Sequence, residues 1–80
     1  MSTARLVDSA NLYYDEGNSD KVYNVRLETD GAGYSVFFSY GRRGGHMNEG
    51  YKVQDAPEEV ARKEYDKLVN SKLKKGYQRA

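Results

Sequence analysis

The fold is read from one continuous stretch, Lys21-Val22-Tyr23-Asn24-Val25-Arg26-Leu27-Glu28, then Asp30-Gly31-Ala32-Gly33, then Tyr34-Ser35-Val36-Phe37-Phe38-Ser39-Tyr40-Gly41-Arg42. In its first part Tyr23, Val25 and Leu27 alternate with Val22, Asn24, Arg26 and Glu28, the period-two pattern of a half-buried strand. Asp30 to Gly33 interrupts that pattern with glycines that adopt positive φ at low cost, so the connection is a hairpin turn and the pairing antiparallel. On the returning strand Tyr34, Val36, Phe38 and Tyr40 share one face, and Ser35, Phe37 and Ser39 share the other. Phe37 leaves that second face incompletely polar.

Outward from this hairpin, a glycine-rich turn over Gly41 to Gly50 brings a further strand back around Tyr51-Lys52-Val53. An earlier strand is expected at Leu12-Tyr13-Tyr14, before the polar turn from Asp15 to Asp20, with a short edge pairing at Leu6-Val7. A helix follows. Asp55-Ala56-Pro57-Glu58 places an N-cap acceptor three residues before a glutamate, with proline in the first turn, where its missing N–H does no harm. Ala61, Tyr65, Leu68 and Lys72 or Leu73 then recur at helical spacing. Glu58 and Glu59 suit the positive end of the helix, and Lys72, Lys74 and Lys75 the negative end. Gly76 suits C′, and Tyr77 can fold back onto the last turn. The expected architecture is α+β: a single antiparallel sheet of four to five strands with one C-terminal helix packed on it, forming one domain over residues 1–80.

Composition agrees with one small folded unit. At 80 residues the chain is long enough for one modest core, and 38% apolar against 31% charged residues is a globular balance rather than a disordered one. Without cysteine there is neither a disulfide framework nor a thiolate metal site, and a lone histidine, His46, makes a structural zinc site an unsuitable reading. Neither a signal-peptide apolar stretch nor a membrane-length apolar run is present, so the expected setting is the cytoplasm. His46 lies in a Gly-Gly-His-Met-Asn turn with no orienting carboxylate or nucleophile beside it in recognisable spacing, so no catalytic, cofactor or metal site is expected and the chain reads as a non-enzyme. The formal charge is only +1, but it is unevenly spread: residues 1–39 carry a net −3 and residues 40–80 a net +4.

The aromatic strand ending in Tyr40-Gly41-Arg42, followed by Gly44-Gly45, resembles the WGR domain, with Tyr40 standing for the signature tryptophan. The resemblance spans Tyr13 to Tyr77. It includes the polar lead into a lysine-aromatic strand at Ser19-Asp20-Lys21-Val22-Tyr23, the alanine and aromatic helix positions around Ala61 and Tyr65, and the exit Lys74-Lys75-Gly76-Tyr77. Such domains are best known from poly(ADP-ribose) polymerases and also form small stand-alone bacterial proteins, which this chain is similar to. The polymerase catalytic domain is absent from this sequence, and ADP-ribose transfer does not carry over.

The resemblance implies a DNA-end-sensing role. Tyr40 would pack on a sugar or base at a strand terminus, and Arg42 with nearby basic groups would meet phosphate. Aromatic stacking on an unpaired nucleotide contributes roughly 1–3 kcal/mol and accepts any π-face. The candidate nucleic-acid-binding residues are Tyr40, Gly41, Arg42, Arg43, Lys21, Lys72, Lys74 and Lys75. One departure is Asp20, where many polymerase members carry asparagine; a carboxylate beside phosphate repels it. The Arg42-Arg43-Gly44-Gly45 turn offers successive backbone N–H donors as an anion nest, or is simply a turn. The lysines either hold phosphate or complement the helix dipole, according to whether they lie beside Arg42. The alternative partner is a protein docking on the same aromatic and arginine surface, since Tyr and Arg are enriched at binding hot spots; no membrane partner is expected.

Overall fold

The computed structural model describes residues 4–18 and 20–80. Residues 1–3 of the single-domain reading and residue 19 of the polar turn lie outside the described residues. Strands β1 (Arg5–Tyr14), β2 (Lys21–Thr29), β3 (Tyr34–Arg42) and β4 (Met47–Ala56) precede one helix, α1 (Glu58–Lys74), and a two-residue strand, β5 (Gln78–Arg79). They form one antiparallel five-stranded sheet in the order β4-β3-β2-β1-β5. The α+β arrangement expected from the sequence is the one observed.

The β2–β3 hairpin is pinned by side chains. Thr29 Oγ1, buried, donates to the Gly33 carbonyl at 2.8 Å and accepts from Gly31 N at 3.1 Å. Asp30 Oδ1 accepts from the N–H groups of Ala32 and Gly33, the side-chain-to-backbone closure characteristic of aspartate in turns. With the turn closed at Thr29 and Tyr34, the register follows: Leu27 faces Val36, Val25 faces Phe38, Tyr23 faces Tyr40 and Lys21 faces Arg42. These alternate pairs share the face on which α1 lies.

The core is built from that face. Ala10 and Leu12 of β1, Tyr23, Val25 and Leu27 of β2, Val36 of β3, and Ala61, Tyr65 and Val69 of α1 are buried together. Each fully buried leucine or valine, such as Leu12, Leu27 and Val36, contributes roughly 1.5–3 kcal/mol by leaving water. On the helix Val69 is a core residue that the sequence reading omitted, while Leu68 and Leu73 are half-buried at the margin.

Three local expectations are corrected and one strand is added. The helix has no Asp55 cap: Pro57 is the N-cap, with φ −58° and ψ 151°, and no side chain caps the first turn. Proline disfavours helical backbone at the residue before it. Ala56 therefore stays in β4, and Asp55, at φ +51°, donates its N–H to Ser35 Oγ at 3.2 Å. The first helical bond runs from Ala61 N to Pro57 O at 3.0 Å. The turn after β3 is much shorter than Gly41 to Gly50, because β4 starts at Met47. The segment before the polar turn is one ten-residue strand, with Leu6 paired to Glu28 and a register shift between Leu6 and Asp8. Finally, β5 had no counterpart in the sequence reading; it pairs with Tyr13 and Leu12 of β1.

Candidate functional site

Helix α1 begins beside the β4 exit and ends over Tyr23, so the far end of the same sheet face extends beyond it. At 17 residues it spans about 25 Å. Its end is set by Gly76, at φ +105°, a backbone angle that side chains rarely adopt. Tyr77 N donates to Lys72 O at 3.1 Å and Gly76 N to Leu73 O at 3.2 Å, the paired bonds of a Schellman motif. This turn sends Tyr77 back toward the sheet, where its ring stands edge-on to Tyr23 at 6.1 Å and lies 5.6 Å from that of Tyr14.

On the sheet, Tyr23 and Tyr40 stack at 5.4 Å with planes 14° apart, and Phe38 completes a cluster at 5.9 Å from Tyr40 and 6.1 Å from Tyr23. Tyr40 remains 41% exposed, whereas Tyr23, its cross-strand neighbour, is buried. Lys72 Nζ sits 4.6 Å from the Tyr23 ring centroid, a cation–π contact. Burial, with the charge of Lys75 adding to it, holds the Lys72 amine below the usual lysine value. Burial, reinforced by Tyr40 and Tyr77, raises the Tyr23 phenol above its usual value, so it stays protonated at neutral pH.

Two register positions further along, the next pair on the same face, Lys21 and Arg42 are directly opposed. Cβ atoms of such pairs are about 4.5–5.5 Å apart, and like charges in this position destabilise a sheet. Lys21, Arg42, Lys72, Tyr23, Tyr40 and Tyr77 line one concavity of about 710 Å³, joined by Asn18, Asp20, Gly41, His46 and Asn48. That volume lies within the range of small-ligand clefts. A second hollow of about 400 Å³ is lined by Tyr14, Lys21, Lys72, Lys75 and Tyr77. It shares three residues with the first.

The hairpin that carries Arg42 depends on glycine. A Cβ at Gly41 would collide with the His46 carbonyl oxygen and lie 3.0 Å from Met47 Sδ. Gly45 N donates to Arg42 O at 2.8 Å, with Gly44 at φ +76° in the third turn position, where a type II turn requires glycine. Arg43 N donates to Asp20 O at 2.9 Å. Two of the N–H groups expected to form an anion nest are thus occupied within the protein. Arg43 Nε also pairs with Asp20 Oδ1 at 3.3 Å, so Asp20 is partly neutralised; Arg43 itself does not line the concavity.

Of the eight sequence candidates, Tyr40, Gly41, Arg42, Lys21 and Lys72 line the main concavity and Lys75 the adjoining one. Arg43 is in the Asp20 pair and Lys74 is exposed outside both. The sequence reading placed Tyr23 on a core face and missed that it packs against Tyr40; it had Tyr77 folding back onto the helix end but not lining the concavity, and it gave Asn48 no part in the site. The signal for Tyr23 was present: a hairpin closing at Thr29 and Tyr34 sets it opposite Tyr40. For Tyr77 the helix stop at Gly76 signalled the turn back, but its ring partners Tyr14 and Tyr23 lie across the tertiary fold and had no local signal. Among the described residues no group of His, Asp or Glu side chains is arranged to hold a metal, and no helix is long and apolar enough to cross a membrane.

A family model described as the WGR domain matches residues 7–80. That domain is a non-catalytic binding domain, generally for nucleic acid. No curated protein and no solved structure is matched by the chain.

Proposed function

The chain belongs to the WGR domain family, and on that premise we propose that it is a non-catalytic nucleic-acid-binding module taking a DNA end, a nick or a single strand. The terminal nucleotide stacks on Tyr40, which Tyr23 and Phe38 flank at 5.4 and 5.9 Å. Its phosphates are met by Lys21 and Arg42 from the sheet and Lys72 from the helix end.

The observation that carries this reading is the opposition of Lys21 and Arg42, the next same-face pair beyond the stacked tyrosines. A like-charge pair is unfavourable in the free protein, and an anion between the two cations removes the penalty. Lys72 adds a third cation to the same hollow. Affinity built on phosphate neutralisation falls steeply with salt, while the stacking contribution does not.

The test is fluorescence polarisation with blunt duplex, 5′-phosphorylated nicked duplex and single-stranded DNA at two salt concentrations, for wild type, Tyr40→Ala and Arg42→Ala. End- or strand-selective binding that weakens with salt and falls in both variants supports the reading. Absence of binding at low salt refutes it and directs attention to a protein ligand on the same surface.

A further inference from the structure

The concavity contains one group that a polyanion site does not need. Asp20 lines it together with Lys21, Arg42 and Lys72. Its position is held twice: Arg43 N donates to the Asp20 carbonyl at 2.9 Å, and Arg43 Nε pairs with Oδ1 at 3.3 Å. The side chain is 46% exposed, so the carboxylate keeps an accessible face while one oxygen is anchored. An ionised carboxylate accepts hydrogen bonds only. Beside an incoming phosphate it is repulsive unless the ligand brings hydroxyl or amino hydrogens to it.

Two further features fit a ligand that is more than a phosphodiester. Asn18 and Asn48 line the same hollow, and each offers both donor and acceptor atoms. Three residues of extended chain separate Asp20 from Tyr23, roughly 10 Å at about 3.3 Å per residue. Tyr40 faces Tyr23 across the hairpin, so this is the scale of one nucleotide, with its base on Tyr40 and its sugar and phosphate toward Lys21 and Asp20. The donors that a nucleotide presents near its phosphate are ribose hydroxyls, and acidic side chains are suited to accept from them.

Resting on the nucleic-acid reading above, we infer that this site prefers a strand terminus bearing a ribose cis-diol, with Asp20 accepting from the ribose hydroxyls while Lys21, Arg42 and Lys72 hold the phosphate. The ligand class is thus a ribonucleotide-terminated strand in preference to an all-deoxy one. Asp20 acts as a specificity residue, and Arg43 positions it.

The experiment uses the full chain and two fluorescent single strands of identical sequence, differing only in a 3′-terminal ribonucleotide or deoxyribonucleotide. Each is made with a terminal adenine and with a terminal thymine. Wild type is expected to bind the ribose-terminated strand about tenfold more tightly with either base, the size of one charge-assisted hydrogen bond. In Asp20→Ala the ratio falls to near one, while the deoxy strand binds as well or better because a repulsive charge has gone. Arg43→Gln, which removes the salt bridge but leaves Asp20 in place, retains a preference of reduced size. Equal wild-type binding of both sugars overturns the inference and leaves the proposed function intact. A preference that follows the base rather than the sugar also overturns it. Failure to bind any strand at low salt overturns both.

Discussion

Replacing Lys21 with glutamine should make the protein more stable and a weaker ligand binder at once. Lys21 and Arg42 are paired across β2 and β3 on the face beyond the helix end. Directly opposed side chains interact by roughly 0.2–1 kcal/mol, with like charges on the unfavourable side. Relief of half that range, about 0.5 kcal/mol, corresponds to a rise in Tm of roughly 2–4 °C for a domain of this size. Lys21 is exposed, and glutamine keeps most of its aliphatic stem while removing the charge, so no compensating loss of packing is expected. Binding should move oppositely. Losing one phosphate contact lowers the magnitude of the log Kd against log salt slope by about 0.9 on duplex or 0.7 on single strands. Scanning calorimetry and a polarisation salt series measure the two effects. Arg42→Gln in the Lys21→Gln background should give little further stabilisation, because the repulsion is already gone. A lower Tm for Lys21→Gln together with an unchanged salt slope would refute the reasoning and show that the two cations are solvated apart.

Other outcomes follow from particular contacts. Tyr40→Ala should weaken single-strand binding by roughly 1–3 kcal/mol, and Tyr40→Trp should restore or exceed wild-type affinity, both read by polarisation. Gly41→Ala forces a methyl group against the His46 carbonyl and should cost at least about 2 kcal/mol in urea unfolding. The Arg62 hydrogen bond, at 2.9 Å, together with the Ser9 N–H, holds the Asp8 carboxyl below its usual 3.8. A depressed folded-state value adds stability above the unfolded value, and that contribution is lost as pH falls through the folded value. Asp8→Asn should therefore cost under about 1 kcal/mol at neutral pH, the pair being solvent-exposed, and nothing once the pH is well below 3.8, as measured by urea midpoints.

Strand periodicity and turn chemistry determined much of this protein directly from the sequence. The alternation through Lys21 to Glu28 and Tyr34 to Arg42, broken by Asp30-Gly31-Ala32-Gly33, is enough to specify the central hairpin, since a side-chain period of two leaves one register that buries Val25, Leu27 and Val36 together. The helix and its glycine stop were legible for the same reason: the signals are local. Its start was misread because Asp55 looks like a cap in one dimension, while the preference of the residue before proline for extended backbone keeps Ala56 in the strand.

The site was legible in its residue types but not in its arrangement. Tyr40 and Arg42 stand out by motif, yet whether Lys72 faces them depends on where a helix some 30 residues later crosses the sheet, a matter of packing rather than of pattern. The same holds for the Asp20–Arg43 pair, which joins the β1–β2 and β3–β4 connections and gives Arg43 a carboxylate partner. It holds for Tyr77 as well, brought onto Tyr23 and Tyr14 by the Schellman turn and by the pairing of β5 with β1. Local sequence thus determined the elements and the hairpin register, because backbone geometry and nearest neighbours decide those. Only the tertiary structure decided which cations share a hollow with which rings, because those distances are set by how the helix closes over the sheet.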